Sequence, residues 1–345
     1  MSGVAPVAGG GRIASADLLR GLAALSVAWY HFTNGGPLLE DGWLRASGSH
    51  GWLGVHAFFV ISGCVIPLSM HRAGYALRQH AGTFVLKRLI RLEPPYLLAV
   101  LLCAVLGLLP ALVPGFAGAP FALDSRQLAL HVGYLNGLFE VPWLNPVFWS
   151  LAIEFQFYLC MSILYPLLVL RRRWLSIALL AGAALSALAL DDPDLVFHYA
   201  PLFAFGVIAF WCCTERIGAR VFFVLAVLVA AIAMPALGAA TTAVGAASAL
   251  VLAFARWPVP RGLAFLGAIS YSLYLLHVPV GGRVVNLGAR VAEGELGRVL
   301  VLAAALLTSL LAAWLFFRLI ERPAQHWAAR VRYRAAAERA AAVAA

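Results

Sequence analysis

Apolar runs close to 20 residues long recur along this chain from one end to the other. A helix needs about 20 apolar residues to cross the hydrocarbon core of a bilayer. In that core every backbone N–H and C=O must be paired within the structure, which leaves helices or closed barrels. Barrel strands alternate apolar and polar residues over about 10 positions, and these runs do not alternate. The expected fold is therefore all-α: a polytopic membrane protein with about ten transmembrane helices. The runs fall at 16–34, 51–70, 95–114, 146–170, 174–190, 195–213, 221–238, 240–255, 262–281 and 299–320. Only a small-residue linker, GAATT, separates the seventh from the eighth. Composition agrees: 63% of residues are hydrophobic and 12% charged, against about 25% charged in a soluble domain.

The net charge is +10. Its distribution is topological and gives no reason to expect nucleic acid. Arg72, Arg78, Lys87, Arg88, Arg91, Arg171 to Arg173, Arg216, Arg220, Arg256 and Arg261 crowd alternate loops, and Arg322, Arg330, Arg332, Arg334 and Arg339 follow the last run. The intervening loops hold Glu40, Asp41, Asp191, Asp192, Asp194, Glu293 and Glu295 and few basic residues. Cytoplasmic loops are enriched in Lys and Arg and lie beside anionic headgroups. Both termini are thus expected in the cytoplasm. The organisation expected is a cytoplasmic segment at 1–15, one membrane domain at 16–325 and a polar tail at 326–345. No basic n-region or small-residue cleavage site precedes the first run, which reads as a retained helix. Cys64, Cys103, Cys160, Cys212 and Cys213 form no CxxC pair. They read as buried structural thiols, and no metal site is expected.

Ionisable residues inside apolar runs are costly and usually face a cavity or a partner. The first run, DLLRGLAALSVAWYHF, carries Asp17, Arg20 and His31. At 100° per residue His31 returns to within roughly 20° of Arg20 and lies roughly 16 Å along the axis. Ala24, Val27 and Ala28 lie between them, leaving room for another helix or a ligand arm. NPVFWSLAIEFQFYL places Glu154 about two turns inside the fourth run, where a carboxylate needs a partner. Glu154 and His31 should share one half of the membrane, and a contact between them is expected. ISYSLYLLHVPV brings His277 to the same half, with Tyr271, Ser272 and Tyr274 below it. Hydroxyl-tipped aromatics suit a sugar or acyl pocket and equally an interfacial belt. FVLKRLIRLEPPY sets Lys87, Arg88 and Arg91 on an amphipathic segment ending at Pro94-Pro95. Arg88 and Arg91 are one turn apart and can converge on phosphates, or can face lipid headgroups. In HGWLGVHAFFVISGCVIP, small residues permit close helix approach, and Ser62-Gly63 with Pro67 can break the helix beside a cavity.

Taken together, DLLRGLAALSVAWYHF, GVHAFFVISGCVI, KRLIRLEPPY, FWSLAIEFQFYL, ISYSLYLLHVPV and LIERPAQHW resemble the acyltransferase-3 family of bacterial integral membrane acyltransferases. The likeness runs from about residue 12 to 327. Each segment is weakly specific, and six in family order on a ten-helix frame are strongly so. The family modifies O-antigen, exopolysaccharide, peptidoglycan, Nod factors or macrolides. Its essential Arg-x10-His pattern falls on Arg20 and His31, its donor-associated Arg-x-x-Arg on Arg88 and Arg91, and its acidic position after WSL on Glu154. Cys64, Glu93 and His56 depart from the usual family residues, and no esterase-like soluble domain follows the last run.

The resemblance implies transfer of an acyl group, acetyl as the plainest choice, from cytoplasmic acyl-CoA to a hydroxyl of a carbohydrate or lipid-linked glycan. It implies residence among the lipids of the inner membrane and no permanently bound cofactor. His31 and Glu154 are the expected catalytic residues. Arg20, Arg88 and Arg91 are expected at the donor, and Tyr274 and His277 at the substrate. A transporter or flippase for a sugar-containing substrate is the rival reading, because buried polar residues also line transport paths.

Overall fold

The computed structural model describes residues 14–109, 122–256 and 258–333. Among them every regular element is helical. In chain order they are α1 (Ala14–Asn34), α2 (Gly42–Gly48), α3 (Leu53–Arg72), α4 (Leu77–Leu108), α5 (Ser125–Val132), α6 (Trp149–Leu168) and α7 (Arg173–Leu185), followed by α8 (Ala200–Cys213), α9 (Ala219–Leu237), α10 (Ala239–Phe254), α11 (Arg261–Leu276), α12 (Arg283–Gly288), α13 (Gly294–Phe316) and α14 (Arg322–Arg330). A π turn, His277–Gly282, joins α11 to α12, and a second, Phe317–Glu321, joins α13 to α14.

Each of the ten apolar runs overlaps a helix. Six helical stretches among the described residues are long and apolar enough to cross a membrane, and three shorter ones, in α7, α8 and α10, are apolar too. The outward faces carry the residues a soluble protein would bury. Val224, Val227 and Leu228 of α9 and Leu300, Leu307 and Leu311 of α13 are all exposed, as a lipid-facing surface requires.

Four helices form the centre. α1 packs against α11 and α3, and α3 packs on its other side against α8. Close approach depends on glycine at two crossings. A Cβ on Gly206 would lie 2.1 Å from the Val60 carbonyl oxygen and 2.7 Å from Gly63 Cα. A Cβ on Gly267 would lie 2.2 Å from the Asp17 carbonyl oxygen. Backbone atoms cannot yield there, so α3–α8 and α1–α11 meet at a spacing that only glycine allows. The α1 face between Arg20 and His31 is filled by α11: Ala24 is fully buried and packs with Ile269 and Leu273.

Proline placement explains where the helices depart from sequence expectation. The segment expected to end at Pro94-Pro95 does not end there, and α4 passes through both prolines unbroken. α3 likewise continues through Ser62-Gly63 and Pro67. A proline removes the N–H that would pair with the carbonyl four residues back. In α6 Pro166 frees the Ser162 carbonyl, and the Tyr75 hydroxyl donates to it from another helix connection. In the π turn Pro279 frees the Leu275 carbonyl, and Asn145 Nδ2 donates to it at 3.1 Å. Helix ends are closed in the same way. Ser176, the Trp211 indole and Arg216 donate to the carbonyls of Leu167, Leu168 and Leu170 at the end of α6. Lys87 Nζ donates to the Ala328 and Val331 carbonyls at the end of α14, at 2.8 and 2.6 Å. Such donors satisfy the orphan carbonyls of a helix C-terminus. The helix expected to stop near 320 therefore runs on to Arg330, including the start of the expected tail. Residues 334–345 of that tail, 1–13 of the N-terminal segment and 110–114 of the third run lie outside the described residues.

Candidate active site

At the Arg-rich end of the bundle a cavity of about 640 Å³ opens among α1, α3, α4 and α14. Arg20, Arg72, Lys87, Arg88 and Arg91 line it, with Asp17 and Tyr333. Arg20, Arg88, Arg91 and Gln325 also line a narrower chamber of about 90 Å³, so the two adjoin along these side chains. The sequence placed the three arginines on two different helices, and the fold brings them to one space. Arg20 lies 3.9 Å from Asp17, one turn back. Arg88 Nη2 donates to Ser69 Oγ at 3.0 Å, and its guanidinium lies over the rings of Phe84 and Tyr158. Those contacts hold the Arg88 fork flat.

Glu154 faces this chamber from α6. Ser62 Oγ donates to its Oε1 at 2.5 Å, and its charge acts on both Arg20 and Arg88. The contact expected between Glu154 and His31 is not formed. Helix α11 packs on the α1 face between Arg20 and His31, and the half-buried Glu154 faces the arginine-lined chamber instead. Glu321, a residue without an assigned role in the sequence, joins the same chamber. It is buried, closes the second π turn and accepts from Ser272 N at 3.2 Å, Ser272 Oγ at 2.6 Å and Gln325 Nε2 at 2.8 Å. The signal was present in LIERPAQHW, as an acid closing an apolar run.

Tyr274 ends the chamber on the side away from the arginines. Its hydroxyl lies 2.6 Å from Ser150 Oγ and donates to the Val147 carbonyl at 3.1 Å. Its ring sits 5.9 Å from that of His277, and His277 Nε2 lies 3.3 Å from His31 Nδ1. His277 is fully buried. His31 lines a third cavity, about 220 Å³, at the opposite end of the bundle, with Cys103, Asn145, Arg283 and Asn286. The Tyr274–His277 layer thus stands between an arginine-lined chamber and a histidine-lined cavity.

The backbone fixes the tautomer of each histidine. His31 Nδ1 lies 2.9 Å from the Val27 carbonyl, and His277 Nδ1 lies 3.0 Å from the Leu273 carbonyl. A carbonyl only accepts, so in the neutral rings both Nδ1 atoms carry the proton and both Nε2 atoms carry a lone pair. His277 Nε2 is then free to accept from His31 Nδ1–H, and His31 Nε2 has no hydrogen-bond partner among the described residues. A neutral imidazole with an unpaired Nε2 on a cavity wall is equipped to take a proton. Among the described residues no group of His, Cys, Asp and Glu could hold a metal ion.

Comparison with known proteins gives the family. Residues 13–318 match the family model described as an acyltransferase domain. The "Putative membrane-bound transacylase BcsY" of Komagataeibacter xylinus is 33% identical, over 76% of this chain and 71% of that protein. No solved structure matches the chain. The chain belongs to the acyltransferase-3 family and is a multi-pass membrane acyltransferase.

Proposed function

We propose that the protein transfers a short acyl group, acetyl first among them, from acyl-CoA to a hydroxyl of a cell-surface carbohydrate or lipid-linked glycan. The observation that carries this reading is the pair of opposed cavities. One is lined by Arg20, Arg88 and Arg91, the other by His31, and they approach each other at the Tyr274–His277 layer. Ten helices cross the inner membrane, with both termini and the Arg-rich cavity on the cytoplasmic side, as the loop charges favour.

In this reading the arginines hold the phosphates of the donor, where a planar fork binds bidentately. The thioester end enters the chamber past Glu154. Glu154, held by Ser62, keeps Arg20 and Arg88 extended toward the donor. The chamber, about 90 Å³, suits a short acyl group better than a long one. Displacement of the Tyr274 side chain joins the chamber to the His31 cavity. His31 Nε2 takes the proton of the acceptor hydroxyl as its oxygen attacks the thioester carbonyl. The carbon–sulfur bond breaks, and the proton passes to the departing sulfur. Holding both reactants in a dry site supplies much of the acceleration.

Mass spectrometry of surface polysaccharides from cells with and without the protein tests this. A mass increment of one acyl ester per modified residue is expected. Unchanged glycan masses together with altered glycan export would overturn it in favour of a transporter.

A further inference from the structure

We propose that His277 is the positioning residue for His31, forming a histidine pair in which the neutral Nε2 of His277 takes the place that a carboxylate holds in a catalytic triad. This rests on the reading of His31 as general base. Sequence alone places His277 among substrate-binding candidates. The structure puts it behind His31: it is fully buried, it lines neither the arginine chamber nor the His31 cavity, and its ring lies 5.0 Å from that of His31.

Three features build the pair. First, the Leu273 carbonyl holds His277 Nδ1–H, which leaves the lone pair on Nε2 directed toward His31. Second, the ring sits at the first residue of the π turn, where Pro279 prevents the ordinary helical bond and Asn145 takes the freed carbonyl. π turns recur at functional sites because they displace a side chain from its helical position. Third, the His31 ring is wedged by Tyr30 edge-on at 5.2 Å on one side and by His277 on the other. His31 Nδ1–H is shared between the Val27 carbonyl at 2.9 Å and His277 Nε2 at 3.3 Å. Shared hydrogen bonds of this kind are common at helices and individually longer.

The consequence concerns the charged intermediate. When His31 Nε2 accepts the acceptor's proton, the ring becomes a cation with both nitrogens protonated. Its Nδ1–H then donates to two neutral acceptors already in place, without rearrangement. A carboxylate would hold the cation more tightly and slow its release of the proton to sulfur. A neutral imidazole stabilises the cation and lets the proton go, which suits a step in which His31 must deliver what it has just taken.

The test uses the full-length protein in lipid nanodiscs, with acetyl-CoA as donor and n-octyl glucoside or water as acceptor, both read as release of the CoA thiol. His277→Leu removes the acceptor and His277→Gln retains an amide oxygen near the position of Nε2. The Leu variant should lose about 10- to 150-fold in kcat, the range for loss of a hydrogen bond to a charged group. Its KM for acetyl-CoA should stay within about twofold of wild type, because the arginines hold the donor. The Gln variant should recover most of the loss. ¹⁵N NMR of histidine-labelled protein should find His31 in the Nδ1–H tautomer. A Leu variant with wild-type kcat, equal losses in Leu and Gln, or a His31 ring protonated at Nε2 would each overturn the pair. His31→Ala retaining wild-type activity would overturn the general-base reading itself, and the pair with it.

Discussion

Asn145 holds together the part of the fold that carries His277, and its replacement by leucine has a calculable cost. Asn145 is buried, donates to the Leu275 carbonyl at 3.1 Å and accepts from Val147 N at 3.3 Å. Leucine is close in volume, so little cavity forms and the loss is one of hydrogen bonds. Hydrogen bonds between membrane helices average only about 0.6 kcal/mol, because separated helices find other partners for the same groups. Leu275 is different. Pro279 has no N–H, so this carbonyl lacks its helical partner whether or not the helices are packed. The full cost of leaving a buried group unpaired, about 1–3 kcal/mol, applies there. With about 1 kcal/mol more for Val147 N, Asn145→Leu should destabilise the protein by about 3 kcal/mol. The same substitution in a Pro279→Ala background should cost only about 1 kcal/mol, because the alanine's backbone N–H supplies the missing donor. Equilibrium unfolding by dodecyl sulfate in bicelles, followed by near-ultraviolet circular dichroism, measures both. Equal costs in the two backgrounds, or a cost below about 0.6 kcal/mol in the natural one, would refute the reasoning.

Arg88→Ala should raise the KM for acetyl-CoA by about 10- to 150-fold with kcat at saturation little changed, and Arg88→Lys should fall between; an unchanged KM in steady-state kinetics would remove Arg88 from the donor site. Gly206→Ala forces a Cβ to 2.1 Å from a backbone oxygen and should cost at least about 2 kcal/mol in the same unfolding assay. Gly182→Ala, with nothing within 4 Å, should stabilise α7 by about 0.5–1 kcal/mol. Burial lowers the pKa of His131, in α5, from 6.5 to about 4. Its Nε2 accepts from Leu144 N at 3.3 Å, a bond that protonation abolishes. The unfolded chain therefore binds the extra proton first, and stability present above pH 6.5 is lost as pH falls toward about 4. Thermal melting across that interval should show the decline in wild type and a weaker one in His131→Gln, and parallel curves would contradict it.

The helical frame was legible because lipid imposes length and polarity rules on each run separately. Arg20, Arg88 and Arg91 were legible as candidates for the same reason: each is an ionisable residue where ionisable residues are costly. Their convergence was not, because it depends on α1 and α4 coming to one cavity that α14, far along the chain, helps to wall. Topology put Glu154 and His31 in the same half of the membrane but could not show that α11 fills the α1 face between Arg20 and His31, a packing set by Gly267 against the Asp17 backbone. Pro94-Pro95 read as a helix end and Pro67 as a break, yet α4 and α3 pass through them. Whether a proline ends a helix depends on what surrounds it, as Tyr75 at Ser162 and Asn145 at Leu275 illustrate. The pairing of His277 with His31 required the π turn, which arises from Pro279 together with an asparagine more than 100 positions away.

The most direct measurement of acyl transfer through His31 uses radiolabelled acetyl-CoA, supplied to sealed inverted membrane vesicles that contain either the natural protein or His31→Ala at matched levels. Label should appear in alkali-labile ester on the glycan fraction with the natural protein, and fall at least about 100-fold with the variant, the usual contribution of a general base. Ester formation by His31→Ala at the natural rate would contradict the role of His31. Passage of unmodified glycan without ester would contradict acyl transfer itself.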